Sequence, residues 1–265
     1  MRWIAVSILA ATLAGSASLV RPPAGAARQA ADTAGAKTWI GKAREIEDYL
    51  RTAPIVRRED TDRGVTRPVR AFFPPGGAIE SMTWKALPPG RPHGYYESYK
   101  SEIAAYEIDK LLDLNMVPPK VERQLDGKTG VAVMWVTGAR TFSELRGVPK
   151  PPPAMTAKFN GELVRAKMFH NLIGDIDPNL GNWLVDSAWN VILIDQSRAL
   201  TESTDLVHTM QSVDAALWQR MRALSQAQVQ ATLSPWLDEG KIRALLTRRD
   251  RLQKEVDRLE RQSRR

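Results

Sequence analysis

The sequence predicts an α+β protein built as two lobes. Three observations carry this. Period-two apolar patterns with turn signals fill the first half of the chain, helical patterns fill the second, and a proline-rich break, VPKPPPA at 148–154, stands between them. Of 265 residues, 43% are hydrophobic and 26% charged, an ordinary globular balance with enough chain to bury a real core.

The elements follow in order. The first 27 residues open with MRWIAVSILAATLAGSASLV: one early arginine, an apolar run, then small residues. That is the layout of a secretory signal peptide, with cleavage after Ala17 or at Ala26–Ala27. The run falls short of the ~20 residues a spanning helix needs, which favours a cleaved leader over an uncleaved anchor. Residues 28–37, rich in Ala and Gly, read as a linker. Trp39, Ala43, Ile46 and Leu50 mark one face of a helix. PIVRRED and RPVRAFF read as strands around the polar turn TDRGVT, PPGG at 74–77 is a turn, and AIESMTWKAL at 78–87 alternates as a strand. A helix is expected at about 97–114, and VPPKVERQL and GVAVMWVTG form a strand pair across DGKTG. Behind the proline-rich break a helix at about 155–173 leads into an acidic stretch, and beyond 200 the chain reads as helical to its end. The division is a strand-rich N-lobe at 38–137 and a small helical C-lobe at 138–265.

Composition narrows the function classes. The chain has no cysteine, so disulfide, zinc-thiolate and thiol chemistry are excluded. With the leader, this fits an exported protein, periplasmic or secreted. The net charge of +8 does not point to nucleic acid, because residues 241–265 alone hold ten Lys/Arg against four Asp/Glu. The same tail carries Ile242, Leu245, Leu252, Val256 and Leu259 at helical spacing. It reads as a basic amphipathic helix packed on the body, with an anionic membrane surface as the sharper alternative.

Several familiar motifs are absent. Gly127-Lys128-Thr129 resembles the end of a phosphate loop, but the glycine that loop needs five residues earlier is Glu122. No G-x-S-x-G elbow occurs, and His93, His170 and His208 lack zinc-ligand spacing.

The informative stretch is HNLIGDIDPNLGNWLVDSAWNVILIDQSRAL, residues 170–200. Asp177 stands five residues before Asn182; two apolar runs around the turn DSAWN then end at Asp195. This order resembles that of protein kinases: one carboxylate meets a hydroxyl, and an amide and a second carboxylate hold magnesium on nucleotide phosphates. A short hairpin between them fixes that geometry on backbone hydrogen bonds. Upstream lie a strand–turn–strand, a strand carrying Lys85 between apolar neighbours, and a helix carrying Glu102 and Glu107. A kinase needs such a lysine for phosphates and a glutamate to hold it; helical periodicity does not choose between the two glutamates.

EIAAYEIDKLLDLNMVPP at 102–119 resembles the corresponding helix of secretory-pathway kinases of the Golgi casein kinase type. GDIDPNLGN and ILIDQSRA are similar to that group and, more distantly, to HipA-type and phosphatidylinositol kinases. The resemblance covers roughly 45–200. It implies a protein-kinase-like fold that transfers the γ-phosphate of ATP, with Mg²⁺ or Mn²⁺, to a hydroxyl. It further implies Asp177 as catalytic acid/base, Lys85 as phosphate lysine paired with Glu102, Asn182 and Asp195 as metal ligands, and Gly64, Val65 and Thr66 as part of the loop covering the nucleotide. The chain departs from the pattern where Pro178-Asn179 replace Arg-His and Gln196-Ser197 replace Phe-Gly. Two rival readings remain: a pseudokinase that binds nucleotide or metal without transfer, and an envelope-associated interaction module. The acceptor stays open.

Overall fold

The computed structural model describes residues 35–61, 68–177 and 179–264. The expected leader at 1–27, residues 28–34 of the expected linker, and the loop residues Gly64, Val65 and Thr66 lie outside them.

The expected linker does not extend to residue 37. Ala36 and Lys37 are buried; the Ala36 amide donates to Asp186 Oδ2 at 2.8 Å, and Lys37 Nζ pairs with Glu162 at 3.3 Å. Small residues signal a free linker only when no neighbour anchors them, and here Trp39, 2% exposed, pins the segment into the core. Helix α1 (Ala43–Thr52) buries Ile46 and Leu50. It stops at Ala53, whose extended backbone (ψ 139°) is what a following proline requires.

Strands β1 (Arg57–Asp60), β2 (Val69–Phe72), β3 (Ser81–Lys85), β4 (Lys120–Leu125) and β5 (Lys128–Met134) form an antiparallel sheet in the order β1-β2-β3-β5-β4. The β4–β5 turn is only Asp126-Gly127, both at positive φ (52° and 73°), the conformation that Asp-Gly hairpins favour. Lys128 and Thr129 therefore belong to β5 rather than to a phosphate loop. Helix α2 (Tyr99–Leu111), capped by the Ser98 hydroxyl at the Lys100 amide, packs on β4 and β5.

The chain then crosses to β6 (Ala139–Thr141), which joins β7 (Trp183–Asp186) and β8 (Val191–Leu193) in a three-stranded sheet ordered β6-β7-β8. Three residues are too few for a visible alternation, and β6 was not expected from the sequence. Helix α3 (Thr156–Ile173) runs to a left-handed cap at Gly174 (φ 62°). Beyond 200 the chain is not helical throughout. The Asn171 side-chain oxygen Oδ1 accepts from the Val207 and His208 amides at 2.8 and 2.7 Å, keeping 201–214 irregular until Asp214 caps α4 (Ala215–Ala223). Helices α5 (Gln226–Leu233) and α6 (Glu239–Ser263) complete the chain.

Three clusters of buried hydrophobic side chains form the interior, two of them large and each drawing on both halves of the chain. One joins Trp39, α1 and the five-stranded sheet; the larger unites α2, α3 and the C-terminal helices. Ile242, Leu245, Leu252 and Val256 of α6 are buried in the second, and Leu259 packs against it. The tail is thus the packed amphipathic helix expected, and its apolar stripe faces protein rather than a membrane.

Candidate active site

The central strand β3 ends at Lys85, whose side chain is 9% exposed. The first turn of α2 brings Glu102 to it: Glu102 Oε1 lies 2.8 Å from Lys85 Nζ. Glu107 instead pairs with Lys110 at 2.9 Å on the same helix. The second Glu102 oxygen accepts a short bond from Lys120, at the start of β4, and the same ammonium reaches Gln196 Oε1. Lys120 has no exposed side-chain surface.

The hairpin β7–β8 brings the downstream residues together. Ile194 N donates to the Asn182 carbonyl at 3.0 Å, so Asn182 and Asp195 leave the base of the hairpin side by side. Asp195 adopts a left-handed backbone (φ 57°), which Asp tolerates better than most residues. Its Oδ2 lies 2.9 Å from Lys85 Nζ, and its Oδ1 accepts from the Ser197 hydroxyl at 2.8 Å. Asp177 Oδ2 faces Asn182 Nδ2 at 3.3 Å, and its Oδ1 accepts the Asn179 amide at 3.0 Å. Asp175, buried at the end of α3, accepts the Asp177 amide at 3.2 Å and so shapes the loop.

Electrostatics follow from these contacts. Burial alone would lower the Lys85 ammonium, but the Asp195 and Glu102 carboxylates outweigh it and hold it above the ordinary lysine range. Burial would raise Asp195; the Lys85 charge reverses this and keeps it below the ordinary carboxylate range. Lys120 is lowered, because burial exceeds the attraction of Glu102. Asp175 is pushed up to about 7 by burial, with only a backbone amide to favour its charge.

These groups open on a cleft of about 580 Å³ between the lobes. Lys85, Glu102, Asn182 and Asp195 form its polar wall; Met134, Trp135, Leu184 and Ile194 are among its apolar lining. The size suits a small organic ligand, and an apolar slot beside a few converging polar groups suits a nucleotide. Asp177 does not line this cleft; it reaches it through Asn182, which does. Among the described residues no group of three His, Cys, Asp or Glu forms a closed metal cage. One amide and one carboxylate at the cleft are the kind of partial donor set that Mg²⁺ completes with phosphate oxygens and water.

Of the residues singled out in the sequence, Lys85, Glu102, Asn182, Asp195 and Asp177 converge here, while Gly64, Val65 and Thr66 fall outside the described residues. Sequence reasoning missed Lys120, Gln196 and Arg198, all of which touch the constellation.

Strand-rich lobe, helical lobe and intervening cleft define a protein-kinase-like α+β fold. No protein-family model matches the chain, and no curated protein matches it. Solved structures do. A hydra Fam20 determined with sugar superposes with a TM-score of 0.65 at 15% identity, over 83% of this chain and 89% of that one. The Golgi casein kinase with Mn/ADP bound superposes with a TM-score of 0.61 at 13% identity, over 82% and 76%. At such identities the likeness establishes the fold.

Proposed function

We propose that this protein is an exported atypical kinase that transfers the γ-phosphoryl group of ATP, with Mg²⁺ or Mn²⁺, to a hydroxyl acceptor. The observation that carries the reading is the junction of Lys85 with both Glu102 and Asp195 at the cleft, with Asn182 bridging toward Asp177. The Golgi casein kinase that shares the fold was solved with Mn and ADP, which supports a nucleotide and a divalent metal here. Asn182 and Asp195 would hold the metal and Lys85 the phosphates; bound there, the nucleotide supplies the phosphoryl group and the metal neutralises its charge. Glu102 fixes the Lys85 ammonium in place. Asp177 takes the proton of the acceptor hydroxyl on a carboxylate oxygen as the new P–O bond forms and the bond to the ADP leaving oxygen breaks.

The test joins binding to transfer. Mg-ATP at about a hundred times its dissociation constant should add roughly 2.7 kcal/mol to stability. Asp195→Ala should abolish the magnesium dependence of that gain. Asp177→Asn should keep the gain yet cut transfer from labelled ATP by about 10²–10⁴-fold. A melting temperature unchanged across millimolar Mg-ATP would sink the reading. A normal gain without any turnover would make the protein a pseudokinase.

A further inference from the structure

Asp177 has a second set of neighbours, which do not line the cleft. Arg198 Nη1 lies 3.7 Å from Asp177 Oδ2. Arg198 Nε donates to Glu97 Oε1 at 3.0 Å, and its guanidinium lies 4.9 Å from the centre of the Tyr95 ring. Glu97 Oε2 meets His93 Nδ1 at 2.8 Å. Glu97 belongs to a hairpin of the N-lobe, closed by reciprocal Gly90–Glu97 backbone bonds of 3.1 and 2.9 Å. The next residue, Ser98, donates its amide to Ser197 O at 3.0 Å, fastening this hairpin to the segment just after Asp195. An element of one lobe therefore holds an arginine of the other against the proposed proton acceptor.

The chemistry gives this arrangement a purpose. Glu97 is 2% exposed, and a carboxylate so deeply buried needs a charged partner. The planar fork of Arg198 satisfies it while pointing a second nitrogen toward Asp177, so the direction of the guanidinium is set from Glu97. At 3.7 Å that nitrogen attracts Asp177 without closing a hydrogen bond, leaving Oδ2 room for an acceptor hydroxyl. Tyr95, beside Arg198, and Ile176 and Leu180, within three residues of Asp177 in the chain, leave 55%, 45% and 41% of their surface exposed.

We infer that Arg198 is a positioning residue for the proposed transfer: anchored by Glu97, it orients the Asp177 carboxylate and makes the 90–97 hairpin the acceptor-side wall of the site. This rests on the kinase reading, and the experiment keeps the two apart. In the full chain, Arg198→Met, Arg198→Lys and Glu97→Gln are compared with wild type for Mg-ATP thermal shift, steady-state turnover of ATP, and amide exchange at Asn179, whose N–H bonds Asp177 Oδ1. Arg198→Met should lower kcat by about 10²-fold, the scale of a misplacement near 1 Å, with KM for ATP and the thermal shift unchanged. Arg198→Lys should recover part of the loss, and Glu97→Gln should fall in the same direction without adding to Arg198→Met in the double variant. Asn179 exchange should quicken in Arg198→Met and slow again in Arg198→Lys. An unchanged kcat in a folded Arg198→Met protein overturns the inference, as does a loss of kcat that brings the thermal shift down with it. Should wild type neither bind Mg-ATP nor turn it over, the kinase reading fails, while unaltered Asn179 exchange in Arg198→Met separately refutes any hold of Arg198 on Asp177.

Discussion

Glu102 bonds two lysines at once, one on each carboxylate oxygen, and both ammoniums lie in the protein interior, with Asp195 supplying the second negative charge at Lys85. Its removal leaves the buried Lys120 with only the neutral Gln196 oxygen, while Lys85 keeps Asp195; removal of Lys85 leaves Glu102 paired with Lys120 and leaves Asp195 with 32% of its side chain exposed. Breaking a buried pair by deleting one member costs about 3–5 kcal/mol, because the survivor stays charged without a partner. Glu102→Ala should therefore lose about that much in urea unfolding, through the unpaired Lys120, and Lys85→Met distinctly less; equal losses would mean that the Lys120 charge does not depend on Glu102. The same residues mark what the sequence revealed. Asp177, Asn182 and Asp195 were legible because their spacing is local and one hairpin holds it. The choice of Glu102 over Glu107 came only from resemblance, since both sit on one helix and the pairing partner comes from another strand. Lys120 was not legible. In β4 it shares a face with Glu122, which reads as solvent-facing polar alternation; the structure lays that face against α2, where Tyr99 bonds Glu122 and Glu102 meets Lys120. Only the long-range closure of α2 over the sheet buries Lys120, while Glu122 on the same face stays exposed.

At the scale of elements, the site depends on how closely β5 runs beside β3. A Cβ on Gly130 would stand 2.2 Å from the Lys85 carbonyl oxygen, and backbone at that distance has no rotamer to escape into. Gly130→Ala must push the two strands apart where Lys85 pairs with Val131. Overpacking of this kind typically costs about 1–3 kcal/mol, and the displacement should also blunt the stabilisation by Mg-ATP. Gly161 gives the opposite expectation. It lies inside α3 with the nearest foreign atom, an Arg165 nitrogen, 3.8 Å from a built Cβ. Gly161→Ala should gain roughly 0.5–1 kcal/mol, since alanine loses less backbone freedom in a helix. Thermal melts of the two variants in opposite directions would check both signs. Elements with a long periodic pattern, such as α3 and the β4–β5 hairpin, were readable in advance. The short β6 and the irregular 201–214 were not, because their backbone is held by β7 and by the Asn171 side chain, far away in sequence.

At the scale of the molecule, the segment before α1 ties the lobes together. Trp39 is buried with the five-stranded sheet, while two and three residues earlier Lys37 and Ala36 are held by Glu162 of α3 and Asp186 of β7. The Glu162 carboxylate also receives the Val191 amide at 2.9 Å, so the anchor reaches the hairpin that carries Asn182 and Asp195. Residues 34–265 form one compact unit by contact, and both expected cleavage positions of the leader, near Ala17 and Ala27, lie upstream of it. Processing at either would leave this anchor intact. A chain shortened to begin at 34 should therefore melt like one beginning at 28, whereas a chain beginning at 43 should not. Losing the buried Trp39 alone is worth about 3–5 kcal/mol by analogy with large-to-small core changes. At roughly 2–4 °C per kcal/mol for a domain of this size, the melting temperature should drop by about 10 °C. The Lys37 contribution adds less, because Arg165 still neutralises Glu162 when Lys37 is gone. Calorimetry on the three chains reads this directly. A chain from 43 that melts within about 2 °C of the chain from 34 would show that the lobes hold together without the anchor, and that 35–42 packs on the surface with little weight in the fold.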